Sequence, residues 1–118
     1  MIEQLLTLQN QLRLFHWQTF SYAQHVALGK AYEALDDLID GFVEEYFGKY
    51  DRTVDENGYT VSLENLDKSN ILSFVDENIT FLTDELPKEL EKNDTNLLNI
   101  RDDMLGELQR LKYLLSLE

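Results

Sequence analysis

Cysteine is absent from the 118-residue chain, which contains only one proline and five glycines. The lack of cysteine excludes disulfides, thiolate metal sites and a cysteine nucleophile. So few proline and glycine residues favour long regular elements over a turn-rich β fold. The chain has no run of 18 apolar residues and no basic, apolar leader. We therefore expect no membrane-spanning segment and no signal peptide, and hence a cytoplasmic protein.

Positive charge is also scarce. Ten Lys and Arg residues face 23 Asp and Glu residues, so the formal net charge is −13. A protein without a basic excess is not expected to bind nucleic acid or an anionic membrane surface. Its field should instead attract cations. With 43% hydrophobic residues, the chain can bury one core, and we predict a single domain over residues 1–118.

Apolar residues recur at spacings of three and four in four segments, which predicts helices over about 2–17, 21–47, 69–86 and 94–115. Gly48 is a plausible end of the second helix, Ser69 a cap of the third, and Pro87 must kink or end that third helix. Arg101 is the one polar break in the apolar stripes. The stripes predict a core made of Leu5, Leu8, Leu12, Phe15, Leu28, Tyr32, Leu35, Leu38, Ile39, Phe42, Val43, Tyr46, Ile71, Leu72, Val75, Ile79, Leu82, Leu86, Leu97, Leu98, Leu105, Leu108, Leu111 and Leu115.

The connections between these segments are short, long and short, since about twenty residues (48–67) separate the second helix from the third. One long crossover places the first two helices antiparallel and the last two antiparallel. This is the ferritin-like arrangement among four-helix bundles. The predicted fold is therefore an all-α, ferritin-like four-helix bundle with a long crossover between its second and third helices.

The two histidines, His16 and His25, both fall at the junction of the first two helices. Each could be a helix cap, a packed aromatic ring or a metal ligand. Asp36, Asp40 and Glu44 recur every four residues on the second helix and form one acidic row. Such a row is usually a solvated face, but like charges four residues apart repel, and no cation of that helix lies within it. A bound cation would remove the repulsion.

One chain cannot bring His25 and Asp40 to the same ion, because fifteen residues of helix span about 22 Å. A second copy of the helix, antiparallel across a two-fold axis, would place His25 beside Asp40 and Glu44 of the other copy. Imidazole nitrogens with carboxylate oxygens suit Fe(II), Zn(II) or Mn(II).

The same residues resemble the Dps-type mini-ferritins: His16 and Trp17 end the first helix, His25 opens the second, and an Asp and a Glu follow 15 and 19 residues later. The resemblance covers about residues 12–46. It implies an inter-subunit ferroxidase site formed by His16, His25, Asp40 and Glu44. It also implies a homo-oligomer built from two-fold dimers, up to a hollow dodecamer, that oxidises Fe(II) to Fe(III) with peroxide or oxygen and stores the mineral.

Some positions depart from that family pattern. Gly29 stands where the family usually has a third carboxylate ligand, and Glu45 stands where an Arg commonly follows the Glu. Asp36 is a spare carboxylate on the same row. Trp17 either packs in the core or lies near the metal. Two alternatives stay open, a non-enzymatic assembly protein with a vestigial site and an acidic bundle that docks to a partner protein.

Two other acidic segments compete as metal sites. Residues 53–64 match an EF-hand loop at Asp55, Asn57, Gly58 and Glu64, but Thr53 stands where the first Asp is required. An Asn-Gly turn with charged flanks is the simpler interpretation. On the last helix, Asp102, Asp103 and Glu107 are expected to form a solvated face.

Overall fold

The computed structural model describes residues 1–117, and within them it contains four α-helices and no strand. The helices are α1 (Ile2–Gln18), α2 (Tyr22–Tyr50), α3 (Asn70–Thr80) and α4 (Thr95–Leu115). A π-helical turn (Phe81–Glu85) and a 3-10 turn (Leu86–Glu89) follow α3. The predicted helical bundle is thus confirmed. Among residues 1–117, no helix combines the length and the apolar character needed to cross a bilayer.

Cross-helix contacts give the direction of each helix. Arg13 contacts Asp36 while His16 contacts His25, so α1 and α2 run antiparallel. Lys112 of α4 contacts Asp76 of α3, and Arg101 bonds to the turn that follows α3, so this pair is also antiparallel. Both pairs are thus antiparallel, and the connection between α2 and α3 joins them.

The core is apolar and lies between all four helices. The first predicted stripe is buried completely, and Leu28, Leu35, Ile39 and Phe42 of α2 are buried with it. Most of the remaining predicted core residues are buried or half-buried. Leu72 is the exception, because 47% of it is exposed on the outer side of α3. The prediction omitted Met104, which is fully buried.

The ends of α2 differ in how well they were predicted. Ser21 caps its start, since its Oγ accepts a hydrogen bond from the backbone N–H of Gln24 at 3.2 Å. The prediction that Gly48 ends the helix is wrong. α2 continues to Tyr50, and the chain leaves it at Asp51, whose φ is +66°. Lys49 and Tyr50 are held in the last turn because both donate hydrogen bonds to Asp94.

Asp94 is buried at the start of α4 and ties that helix to the end of α2. Its carboxylate accepts hydrogen bonds from Lys49 Nζ, the Tyr50 hydroxyl and, at 2.8 Å, the backbone N–H of Glu91. Burial alone would raise its pKa, but the three hydrogen bonds outweigh burial and lower the pKa of Asp94 to about 2. The hydrogen bond to Asp94 is also the main cause of the raised pKa of Lys49.

The prediction of a regular helix up to residue 86 is wrong. α3 ends at Thr80, a π-helical turn follows it, and Pro87 lies inside the 3-10 turn, so the chain stays helical but irregular around the proline. Arg101 contacts the backbone in this irregular part. In the π-helical turn, the N–H of Leu86 bonds to the carbonyl of Phe81. The next residue in this pattern is Pro87, which has no N–H to offer the carbonyl of Leu82. The Arg101 guanidinium supplies the missing donor, with Nη1 at 3.1 Å from that carbonyl. This contact explains the polar residue within the apolar stripe of α4.

The crossover (residues 51–69) is fastened along α1 by three polar side chains. Glu3 accepts a hydrogen bond from the N–H of Thr60. Gln11, which is buried, bonds to both the N–H and the carbonyl of Glu64 at 2.7 and 2.8 Å. Gln18 accepts a hydrogen bond from the N–H of Leu66 at 2.7 Å. The second half of the crossover therefore runs parallel to α1.

Candidate functional site

The two histidines lie face to face at the corner between α1 and α2. α1 ends at Gln18 and α2 begins at Tyr22, so a short turn brings the last turn of one helix beside the first turn of the other. The ring centroids of His16 and His25 are 3.8 Å apart, and the ring planes differ by 16°. His16 is half-buried and His25 is exposed. The structure thus brings together the two residues that the sequence placed at one junction.

Reciprocal hydrogen bonds hold the pair. Nδ1 of His16 lies 2.6 Å from the backbone carbonyl of His25, and Nδ1 of His25 lies 2.8 Å from the carbonyl of His16. A carbonyl only accepts hydrogen bonds, so Nδ1 must carry the proton in each ring. An imidazole that carries its only proton on Nδ1 has its lone pair on Nε2, the form in which histidine binds metals. A backbone partner on the other nitrogen is the usual way in which proteins orient such ligands.

Gly29 of α2 makes room for the inner ring of the pair. A Cβ at position 29 would lie 2.9 Å from Cε1 of His16, closer than real Cβ contacts, and 3.1 Å from Nδ1, tighter than most of them. The edge of the same ring meets Tyr32, with centroids 5.2 Å apart. Position 29 therefore lacks a carboxylate ligand and also has no space for one beside His16.

Asp36 of α2 is paired with Arg13 of α1, a cation that the spacing of residues along α2 could not reveal. Arg13 of α1 approaches with Nη2 2.9 Å from Asp36 Oδ2, and its guanidinium lies 5.0 Å from the centre of the Tyr32 ring. The other carboxylate oxygen of Asp36 is buried and has no hydrogen-bond partner among residues 1–117. One sign in the sequence that Arg13 lies near this corner is its position three residues before His16 on the same predicted helix.

Asp40 and Glu44 are exposed on α2. No ion pair to either is present in the described part of the chain. They stand fifteen and nineteen helical residues from His25, which corresponds to about 22 and 28 Å. One protomer therefore does not bring the imidazoles and these carboxylates together. Accordingly, residues 1–117 hold no cluster of three or more His, Asp or Glu side chains that could bind a metal.

Trp17 is not a core residue, since 67% of it is exposed. It follows His16 directly and therefore sits at the histidine corner. Phe20 and Tyr22 of the same turn are exposed as well. The corner is thus bordered by aromatic side chains in contact with solvent.

The competing loop forms the simpler of the two predicted structures. Asp55 Oδ1 accepts a hydrogen bond from the N–H of Asn57, and the Asp55 carbonyl accepts one from Gly58, whose φ is +73°. This is an Asx turn, so the Asp55 carboxylate serves its own backbone. On α4, Asp102 and Asp103 are exposed as predicted, whereas Glu107 is half-buried and pairs with Arg110.

Comparison with known proteins finds a matching family and a similar phage protein. The profile of a family of unknown function, DUF5856, matches residues 16–115. A protein of Enterobacteria phage T4, described as an uncharacterized 14.6 kDa protein of the mobD–ri intergenic region, is 32% identical over 116 residues. The alignment covers 97% of this chain and 84% of the phage protein. No solved structure matches.

Proposed function

This chain belongs to the family DUF5856, and from its geometry we propose that it is a Dps-type, ferritin-like subunit that binds and oxidises iron at a site shared by two copies. The observation that carries the proposal is the reciprocal Nδ1–carbonyl bonding of His16 and His25. It prepares two Nε2 atoms as ligands at one corner of the bundle.

The helix directions support the ferritin-like part of the proposal. α1 with α2 and α3 with α4 are antiparallel pairs, and one long connection joins them. Among four-helix bundles with one crossover, this is the ferritin-like order. The common di-iron motif of such bundles, Glu followed three residues later by His, does not occur in the sequence. Iron bound by this chain would therefore not use that internal site.

The proposed ligand set divides between two protomers. His16 and His25 of one protomer supply imidazole nitrogens, and Asp40 and Glu44 of the other supply carboxylate oxygens across a two-fold axis. Asp36 is paired with Arg13 and is therefore left out of the proposed ligand set. Each dimer then contains two equivalent sites. The same donor set would also accept Zn(II) or Mn(II).

In this proposal iron is the substrate. The net charge of −13 raises the local concentration of Fe(II) around the protein. Carboxylate oxygens favour the more highly charged Fe(III) product, so the site promotes loss of an electron to peroxide or oxygen. A homo-oligomer of two-fold dimers, extending to a dodecameric cage for mineral storage in the cytoplasm, completes the proposal.

Subunit complementation tests the shared site. Anaerobic Fe(II) titration should give about two strong sites per dimer in the native protein. Variants H16A/H25A and D40N/E44Q should each give none. After the two variants are mixed and allowed to exchange subunits, a mixed dimer has one intact site. In that site, both histidines come from one subunit and both acids come from the other.

The matched control for this test is D102N/D103N, which removes two exposed carboxylates of α4. It should bind iron like the native protein. Sites that persist in H16A/H25A, or a mixture that binds no iron although its subunits have exchanged, would refute the shared site.

A non-enzymatic assembly protein is the second candidate, and the packing around His16 favours it. Gly29 offers no carboxylate, and Asp36 is committed to Arg13. A dimer that binds no Fe(II) in the titration would support this candidate over the first.

A further inference from the structure

The turn between α1 and α2 exposes three aromatic side chains that the iron site does not use. Phe20 is fully exposed, Tyr22 is 81% exposed and Trp17 is 67% exposed. We call these three residues the aromatic turn. Scattered exposed apolar residues are normal, but large ones gathered in one place mark interaction sites. Aromatic side chains are also the type most enriched at protein interfaces.

The aromatic turn lies in an uncharged part of a strongly acidic chain. Residues 14–29 contain no Asp, Glu, Lys or Arg, although the whole protein carries a net charge of −13. Arg13 and Lys30 border this segment on either side. Two copies of an acidic protein repel each other over most of their surface. They can approach with the least repulsion where one of them presents this segment.

The charge distribution along α2 identifies a second copy as the fitting partner. Residues 22–32 contain one cation, Lys30, and no acid, whereas residues 33–48 contain six acids and no cation. Lys30 forms no ion pair within residues 1–117. Two antiparallel α2 helices place the uncharged, basic-edged half of each against the acidic half of the other. Parallel helices would set acid against acid, so the helix is complementary to itself only in the antiparallel arrangement.

The register of this contact follows from the proposed iron site, and to that extent the inference rests on the proposed function. When His25 lies between Asp40 and Glu44 of the second copy, Lys30 lies opposite Asp37. The aromatic turn then lies beside the half-buried Phe47, near the far end of the opposing helix.

We propose that the aromatic turn is the docking surface for a second copy of this chain, and that the two copies associate through it without metal. The aromatic contacts and the Lys30–Asp37 pairs hold the dimer. Iron enters a site that association has already formed. Assembly and metal binding are therefore separable.

Trp17 is the only tryptophan of the chain and reports directly on this surface. The experiment uses the full chain with a chelator, over a range of concentrations, followed by sedimentation velocity and by iodide quenching of the tryptophan emission. We expect a dimer at higher concentration, with emission shifted to the blue and reduced quenching. F20S/Y22S should weaken association about tenfold or more, as loss of interface aromatics does, and leave Trp17 open to iodide.

Controls separate the surface from general hydrophobicity and from misfolding. L72S and Y113S remove apolar residues that are 47% and 63% exposed elsewhere, and they should leave association unchanged. K30E should weaken the dimer, and K30E/D37K should restore it. Circular dichroism and thermal unfolding of each variant report whether the bundle is intact.

Several results would overturn the proposal. One is a protein that stays monomeric at all concentrations with Trp17 open to iodide, as expected if the turn docks to a different protein. Another is a dimer in which quenching is unchanged.

A dimer that forms only after Fe(II) or Zn(II) is added contradicts metal-free docking but leaves the iron site standing. A dimer that depends on Phe20 and Tyr22 but binds no iron supports the docking surface and refutes the iron site.

Discussion

Gly29 lies directly against the ring of His16, so closely that a Cβ at position 29 would come within 2.9 Å of the imidazole Cε1. The position has no carboxylate, and the space that a side chain would use is taken by a ring stacked on His25. The absence of a side chain at position 29 therefore leaves room for the two imidazoles to stack at this corner.

Replacing Gly29 tests this packing. Gly29→Ala should displace His16 from its stack and from the carbonyl of His25. Since its orienting hydrogen bond is then lost, Zn(II) or Fe(II) affinity at the site should fall roughly 10- to 100-fold. Calorimetric titration measures the loss of affinity, and the imidazole NMR signals report the displaced ring.

Gly41→Ala is the matched control, since a Cβ at position 41 of the same helix meets no atom within 4 Å. It should stabilise the protein by about 0.5–1 kcal/mol in urea unfolding, the usual gain from replacing a helical glycine, and leave metal affinity unchanged. Equal stabilisation and equal metal affinity in both variants would show that position 29 is not special.

The Asp94 contacts predict a loss of stability in acid. Its pKa is lowered to about 2 in the folded protein, below the ordinary value of 3.8. A carboxylate with a lowered pKa stabilises the fold fully above its unfolded pKa and loses this effect as the pH falls through its folded pKa. Asp94→Asn should therefore be less stable than the native protein at pH 7, and the difference should shrink between about pH 4 and pH 2. Urea unfolding at a series of pH values measures both curves.

Asp103→Asn, which alters an exposed carboxylate of α4 that forms no ion pair within residues 1–117, serves as the control for Asp94. Its stability should follow the native curve over the whole acid range. A constant difference between the native protein and Asp94→Asn down to pH 2 would mean that Asp94 is not charged in the way described.

Gln11 is predicted to hold the crossover in place. Its side-chain amide is buried and satisfies both backbone groups of Glu64. Gln11→Ala leaves these groups without their partners and should destabilise the protein by about 1–3 kcal/mol. Gln109→Ala, on an exposed part of α4, should change stability by less than about 0.5 kcal/mol. Urea unfolding compares the two, and similar values would remove the special role of Gln11.

Arg101 and Pro87 should be coupled energetically. Arg101→Leu leaves the carbonyl of Leu82 without its donor and should cost about 1–3 kcal/mol. In a Pro87→Ala background, position 87 regains an N–H, so the same arginine substitution should cost less. A double-mutant cycle from chemical denaturation measures the difference, and strictly additive effects would mean that the arginine does not compensate for the proline.

Most of the fold could be predicted from the spacing of residues that are close together in the sequence. The starts of α1, α2 and α4 follow from apolar spacing, and each observed start lies within about a residue of its prediction. The end of α2 could not be predicted in this way. Lys49 and Tyr50 are held in the helix by Asp94, which lies more than forty residues away in the sequence. Leu72 has the correct spacing but lies at the margin of the α3 stripe, where no neighbouring helix covers it.

The candidate site, too, could be predicted only in part from the sequence. The sequence alone placed both histidines at one corner and separated them from Asp40, because these inferences need only the rise of a helix. It could not show that Arg13 reaches Asp36 from another helix, or that each imidazole bonds to the backbone of the other. Such contacts depend on how two helices pack, which spacing within one helix does not record.

The fastening of the crossover to α1 divides that connection into two parts with different tolerance to change. From Thr60 to Leu66, the backbone is tied to Glu3, Gln11 and Gln18, so an inserted or deleted residue would put donors and acceptors out of step. In the part of the chain that the structure describes, the exposed segment before Tyr59 forms no side-chain hydrogen bond to α1. Tags, labels or extra residues are therefore best accommodated near Glu56, where loop length can vary without moving any helix.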